Sequence, residues 1–387
     1  MPGLIWNAMM SMSGGWFFVV ASEAISVGDL HIALPGIGSY VARAIQERNL
    51  GAVGWAILAM TVTILIYDQL LFRPLVAWAD KFRYEQTAAQ IVPRSWIVEL
   101  FRRTRVLRSI GESIGDMTRA VVRARLQIPY GLPDRPMIRP GLVDLAWYGL
   151  VFVSVLYSGW ALLQYSESEL SWSDVAEVLS DGSLTLLRVA ILIAIASVIW
   201  VPIGVAVGLR PKVAEKVQPL AQFLAAFPAN LLFPIAVYLI VRFDLAPKIW
   251  LSPLMILGTQ WYILFNVIAG ASAFPSDFRE VAAGFRMSGW HWWRDVMLPG
   301  IFPYYVTGAI TASGGAWNAS IVSEAVSWGS TRINGSGLGA YIAQMTEAGD
   351  YPRIALGIAV MSILVVAINR MLWRPLYAFA ERRTRLD

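Results

Sequence analysis

Long apolar runs constrain this chain before anything else. Ala52–Phe72, Leu184–Leu209 and Ile354–Trp373 each hold about 20 residues with at most one charge, enough to cross the hydrocarbon layer of a bilayer as a helix. Lipid offers the backbone no hydrogen-bond partners, so such runs fold as helices. Leu4–Ala24, Leu142–Leu163, Leu220–Val241, Trp250–Ala271 and Phe302–Ala325 read the same way. The expected fold is an all-α polytopic membrane protein with about eight transmembrane helices. Composition agrees: of 387 residues, 57% are hydrophobic and 15% charged, where a soluble domain carries nearer a quarter. There are no cysteines, and His31 and His291 lie far apart. Disulfides are excluded, and no metal-ligand spacing is present. The basic residues behind the net charge of +5 cluster in loops, as membrane orientation requires, and are no nucleic-acid signal.

The loops alternate in charge. Ser166–Asp181 carries Glu167, Glu169, Asp174, Glu177 and Asp181 and no base, so it faces outside. Arg210–Lys216 faces inside, Arg242–Lys248 outside, the stretch 275–300 inside and Val326–Arg353 outside. Arg382, Arg383 and Arg385 close the chain inside. Ser171–Leu179 reads as a short helix on the outer surface. The linker 84–140 is rich in arginine, and Ser95–Ile110 has apolar residues at helical spacing. Two readings stand: a helix on an anionic membrane surface, or a cytosolic linker packed on its own protein.

The two ends of the chain are repeats. Shifted by 301 residues without a gap, Gly14 meets Gly315, Trp16 meets Trp317, and Ser22-Glu23-Ala24 meets Ser323-Glu324-Ala325. In the same register Gly36, Gly38 and Tyr40 meet Gly337, Gly339 and Tyr341, and Arg73-Pro74-Leu75 meets Arg374-Pro375-Leu376. Such a register is the mark of a tandem architecture. Residues 1–83 are thus expected to be the last two spans of a first unit, and 141–387 a complete six-helix unit. The rest of the first unit is expected from upstream sequence or from a second chain.

Between two apolar runs lies Glu280–Pro299, EVAAGFRMSGWHWWRDVMLP. Phe278–Phe285 and Trp290–Met297 have helical spacing, with Gly284 and Gly289 available to turn the chain. The pattern resembles the EAA loop of ABC importer permeases, in the nitrate/sulfonate/taurine-type branch. Glu280, Ala282, Leu298 and Pro299 fall at the family's spacing, with Ala283 beside them, and Ser288 and Trp290 fit that branch. Val281 replaces its first alanine, and Arg286 stands where it has glycine. The resemblance implies an all-α permease in a bacterial inner membrane, with the linker, this loop and the C-terminus in the cytoplasm. It also implies that the loop, with Gly284, Arg286 and Gly289 at its turn, docks on a cytoplasmic ABC ATPase dimer. An extracytoplasmic solute-binding protein would deliver a small anionic solute to a second permease half paired with this one.

The chain has no phosphate-binding G-x-x-x-x-G-K-[ST] loop, so the ATP belongs to a partner subunit, and no cofactor or enzyme chemistry is expected here. Pathway candidates are Trp317, Asn318, Ser320, Ser323 and Glu324 on the fifth span of the complete unit, with Trp16, Ser22 and Glu23 as their counterparts. Pro228 is a further candidate, because it breaks its helix. An ionisable group at membrane depth is functional by default. Glu23 and Glu324 have a structural alternative, as partners of an arginine or of backbone N–H groups. A transporter independent of any ATPase, with those two glutamates as a proton-coupled pair, is the alternative function.

Overall fold

A computed structural model describes residues 12, 14–28, 30–75, 140–166 and 170–384. The linker helix over 95–110, the proline-rich lead-in up to 139, and the start of the first predicted span lie outside the described residues. Residues 93–170 form one compact unit, and 1–92 with 171–387 another. The described part of the smaller unit is one helix, Pro140–Ser166.

In the larger unit, α1 (14–22) leads into an antiparallel hairpin, β1 (Ala24–Val27) and β2 (Leu30–Ala33). Then come α2 (Ile37–Gln46) and α3 (Leu50–Tyr67), the latter running through a π turn to Leu75. α4 is Trp172–Gly208, α5 is Pro211–Ala226, and α6 is Phe233–Arg242. α7 (Ser252–Leu257) and α8 (Trp261–Ser272) follow, then the short helices α9 (Ser276–Gly284) and α10 (Gly289–Trp292). α11 (Leu298–Ser323) leads into a second hairpin, β3 (Ala325–Trp328) and β4 (Thr331–Asn334). α12 (Leu338–Ala348), α13 (Tyr351–Ile368) and α14 (Arg374–Thr384) end the chain.

The 301-residue offset holds element by element. β1, β2, α2 and α3 begin 301 residues before β3, β4, α12 and α13. The helix caps obey it too. Asn49 accepts from Ala52 N–H at 3.0 Å and Asp350 from Arg353 N–H at 3.1 Å, caps worth about 1 kcal/mol each. The two copies then grip each other reciprocally. Gly28 N–H at the first hairpin turn donates to Thr346 O at 3.1 Å. Gly329 N–H at the second donates to Ile45 O at 2.9 Å. Each partner is the offset equivalent of the other, which is the signature of a two-fold relation.

The core of the larger unit sits where α4, α8 and α11 cross. Gly204 and Gly208 on α4 make the approach: a Cβ on either would stand 2.7 Å from Val267 or Ala271 of α8. Small residues four apart let backbones meet closely where lipid supplies no hydrophobic drive.

Among the described residues, three helices are long and apolar enough to span a membrane: Leu50–Leu75, Trp172–Gly208 and Tyr351–Arg382. Two bent pairs raise the number to five, against the eight expected. The expected surface helix Ser171–Leu179 is the first part of α4 rather than a separate piece. Ser171 caps α4 in a reciprocal box with Asp174, and nothing breaks the helix before Gly208. The fold is also not purely helical. Both hairpins arise because Gly28 (φ 55°) and Gly329 (φ 59°) supply the left-handed turn that a short hairpin needs.

Candidate functional site

Two predicted spans are broken, and both breaks face one cavity. α5 ends at Ala226 and the chain bends by 76° through Pro228 before α6. α7 and α8 meet at 44° across Gly258-Thr259-Gln260. Phe227, Ala229, Gly258 and Thr259 from these breaks line a cavity of about 230 Å³. Irregular backbone is tolerated at membrane depth where it lines such a space. Part of the remaining wall is repeat-related. Gly14 and Gly315 line it, as do Phe17 with Asn318 and Phe18 with Ala319, each pair 301 residues apart. Its polar groups are Thr259, Tyr262, Thr311 and Asn318, and among the described residues no charged side chain lines it. The Thr259 hydroxyl is buried without a hydrogen-bond partner.

The predicted pathway residues fall in different places. Asn318 faces the cavity. Trp317, Ser320 and Ser323 are buried on the opposite side of α11, with Ser320 Oγ donating to Trp317 O at 2.7 Å. Trp16 lines a smaller cavity of about 50 Å³ beside Tyr67 and Asp68; the two cavities share Gly258 and Tyr262. Ser22 is exposed and bonds back to Val19 O. Pro228 is buried at the α5–α6 break. Sequence reasoning missed Thr259, Tyr262 and Thr311. The signal for Thr259 was Gly258-Thr259-Gln260 inside an otherwise apolar run.

Glu324 is a knot. Its Oε2 accepts from the N–H groups of Gly339 at 2.8 Å and Ala340 at 3.3 Å, capping α12. Oε1 takes the Thr185 hydroxyl and an Arg188 N–H, both at 3.0 Å. Arg188 also donates to the carbonyls of Gly335 and Ser336, at 2.6 Å each. Glu324 is thus the partner of an arginine and of backbone N–H groups together. Its counterpart Glu23 accepts from Gly38 N–H, the equivalent of Gly339. Arg188 was the missed residue here, and its signal was a lone cation inside an apolar run.

The stretch 275–300 is a helix-turn-helix. α9 closes in a Schellman turn: Met287 N–H donates to Ala282 O at 2.9 Å, with Arg286 between them at φ 51°. That left-handed position is where glycine is usual, so Arg286 itself makes the turn and holds the strain. Gly289 also has positive φ, at 58°; Gly284 ends α9. Ser288 is extended and leads α10 without a side-chain cap. Ala282 is buried, while Glu280 and the apolar side chains of Phe278, Val281, Phe285 and Trp290 are exposed. Phe278, Val281 and Phe285 recur at helical spacing, so they lie on one side. From Trp293 a π turn runs into α11 at Leu298-Pro299 without a break.

Residues 200–385 match the family described as binding-protein-dependent transport system inner membrane component. The bicarbonate transport system permease protein CmpB of Synechococcus elongatus is 34% identical over 142 residues, 37% of this chain and 50% of that protein. The nitrate import permease protein NrtB of a Synechocystis species is 22% identical over 188 residues, 49% of this chain and 65% of that protein. The NrtB of Leptolyngbya laminosa is 24% identical over 187 residues, 48% and 63%. The chain spans about half the length of the first of these relatives. Over residues 200–385 the chain is therefore similar to the inner-membrane components of binding-protein-dependent transport systems, and the relatives it matches are bicarbonate and nitrate permeases.

Proposed function

We propose that this protein is the transmembrane permease of an ATP-driven importer for a small inorganic anion such as bicarbonate or nitrate. The observation that carries the reading is a largely apolar cavity with a few uncharged polar groups, lying between repeat-related residues at two helix breaks. Discontinuous helices at a repeat interface are where transporters place their solutes. The names of the relatives supply the solute class. An extracytoplasmic binding protein delivers the solute, and the stretch 275–300, the linker and the C-terminus lie in the cytoplasm.

The exposed side of Phe278, Val281 and Phe285, with Glu280 and Trp290 beside it, is the seat for an ATPase subunit. The geometry supports a route for the coupling. α11 is 26 residues long and unbroken, about 39 Å at 1.5 Å per residue. One end joins the docking helices; further along, Thr311, Gly315 and Asn318 line the cavity. A push on α10 therefore moves the cavity wall as a rigid rod, and the α5–α6 and α7–α8 breaks take up the change.

Uptake of labelled bicarbonate and nitrate by cells carrying Glu280→Lys tests this. Loss of uptake together with loss of the co-purifying ATPase supports the reading. Normal uptake in that variant overturns it in favour of a transporter that needs no ATPase.

A further inference from the structure

The two glutamates of the repeat sit in equivalent sites that are unequally filled. Glu324 O accepts from Gly335 N–H at 2.7 Å, and Glu23 O accepts from Leu34 N–H at 2.8 Å. Both carboxylates cap the following helix, and both lie against glycines that admit no side chain: a Cβ on Gly36 or Gly337 would collide with Glu23 or Glu324. In the second site α4 crosses the carboxylate and brings Thr185 and Arg188, one turn apart on one face. In the first site Glu23 has no cationic partner among the described residues. The carbonyl of Leu34, equivalent to one of the two that Arg188 uses, accepts from the Ser39 hydroxyl instead.

The surrounding surface repeats the same inequality. Tyr341 is 5% exposed and Val360 7%, both in the core cluster with Val178, Val189 and Leu192 of α4. Their equivalents, Tyr40 at 47% and Ala59, are exposed. Leu34 beside them is 55% exposed. A carboxylate at membrane depth without its cation is costly.

We propose that the face formed by Glu23, Leu34, Tyr40 and Ala59 is the docking site for a membrane helix of a further permease unit, bearing an arginine one turn beyond a serine or threonine. The proposal rests on the permease reading and adds the surface and the residue by which the second unit is held. A second copy of this chain does not supply the cation through Arg188, because that guanidinium is already bound to its own Glu324.

The test places a photoactivatable benzoylphenylalanine at exposed Leu34 of the full-length protein in its native membrane. After irradiation the cross-linked peptide is sequenced by mass spectrometry. The expected product is an apolar segment with arginine three residues after a hydroxyl residue. Glu23→Gln should lower its yield about tenfold, because breaking one partner of a buried charge pair speeds release. Cross-links only to lipid, to residues 76–139 of this chain, or to a helix without that arginine overturn the proposal. Uptake is measured in the same cells. Uptake lost in Glu280→Lys alongside such a cross-link leaves the importer reading standing and removes only the docking surface.

Discussion

Glu324→Gln is the sharpest perturbation of this fold. The change is isosteric, so it leaves no cavity. Both carboxylate oxygens face only donors: Gly339 and Ala340 N–H on one side, Thr185 O–H and Arg188 N–H on the other. An amide has one acceptor atom. Whichever way it turns, its NH2 meets donors, and the Arg188 charge loses its counter-ion while only 10% exposed. Breaking a buried pair by removing one partner costs about 3–5 kcal/mol, which for a unit of this size lowers the unfolding midpoint on the order of 10 °C. The assay is thermal unfolding of the detergent-purified protein followed by tryptophan fluorescence. Glu23→Gln in the same isolated chain is the control. It disturbs one hydrogen bond, from Gly38, and should cost about 1 kcal/mol. A double-mutant cycle with Arg188→Met isolates the pair, with a coupling energy of about 2 kcal/mol or more expected. Equal midpoints for Glu324→Gln and Glu23→Gln, or strict additivity in the cycle, would refute the reasoning.

Other consequences are local. Arg286→Gly relieves a left-handed residue at a cost of about 1 kcal/mol, so amide exchange across α9 should slow about fivefold; faster exchange would show that the arginine is held by contacts instead. Gly337→Ala would put a Cβ 2.7 Å from both Glu324 Oε1 and Thr185 Oγ1, at φ 109°. It should prevent accumulation of folded protein, while Gly314→Ala, with nothing within 4 Å, should leave yield unchanged. Thr259→Val removes a buried hydroxyl that has no protein partner, so the unfolding midpoint should hold or rise slightly. Uptake should fall if that hydroxyl serves the solute.

What the sequence made legible followed from periodicity and register. The piece Ile37–Gln46 stands out between glycines, and the helix has those bounds. The offset of 301 residues carried through to single hydrogen bonds, because a repeat preserves geometry as well as residue type. The break at Pro228 was readable because proline removes a donor and clashes with the preceding turn. The hairpins were not read, since four-residue strands give almost no periodic signal beside 20-residue helices. Gly329 between Val326-Ser327-Trp328 and Thr331-Arg332-Ile333 was the available cue. Arg188 was hidden for another reason. Its role depends on Glu324, 136 residues away, and only the fold brings them to 3.0 Å. The merging of Ser171–Leu179 into α4 shows that charge alone does not end a helix. Asp181 lies within the longest helix among the described residues, and the cap at Ser171 fixes where it starts.

The absence of charge in the cavity bears on how an importer for anions works. A lysine or arginine there would attract the anion strongly in a low dielectric and hold it against release. It would also need a counter-ion whenever the site stood empty. Thr259, Tyr262 and Asn318 present hydroxyl and amide groups instead, while the Thr311 hydroxyl donates to Thr307 O at 2.9 Å. Such donors replace part of the hydration of a small oxyanion, at about 1 kcal/mol net for each bond, and need no partner when the solute leaves. Weak, uncharged binding suits a step that ATP drives in one direction, with affinity left to the delivering protein. The charges that this fold does bury, Arg188 and Glu324, are kept off the cavity wall and spent on holding α4, α11 and α12 together. A cation introduced beside Asn318, as in Thr311→Lys, should therefore slow uptake even while it tightens binding of the anion. Faster uptake in that variant would show that the neutral cavity limits entry and not release.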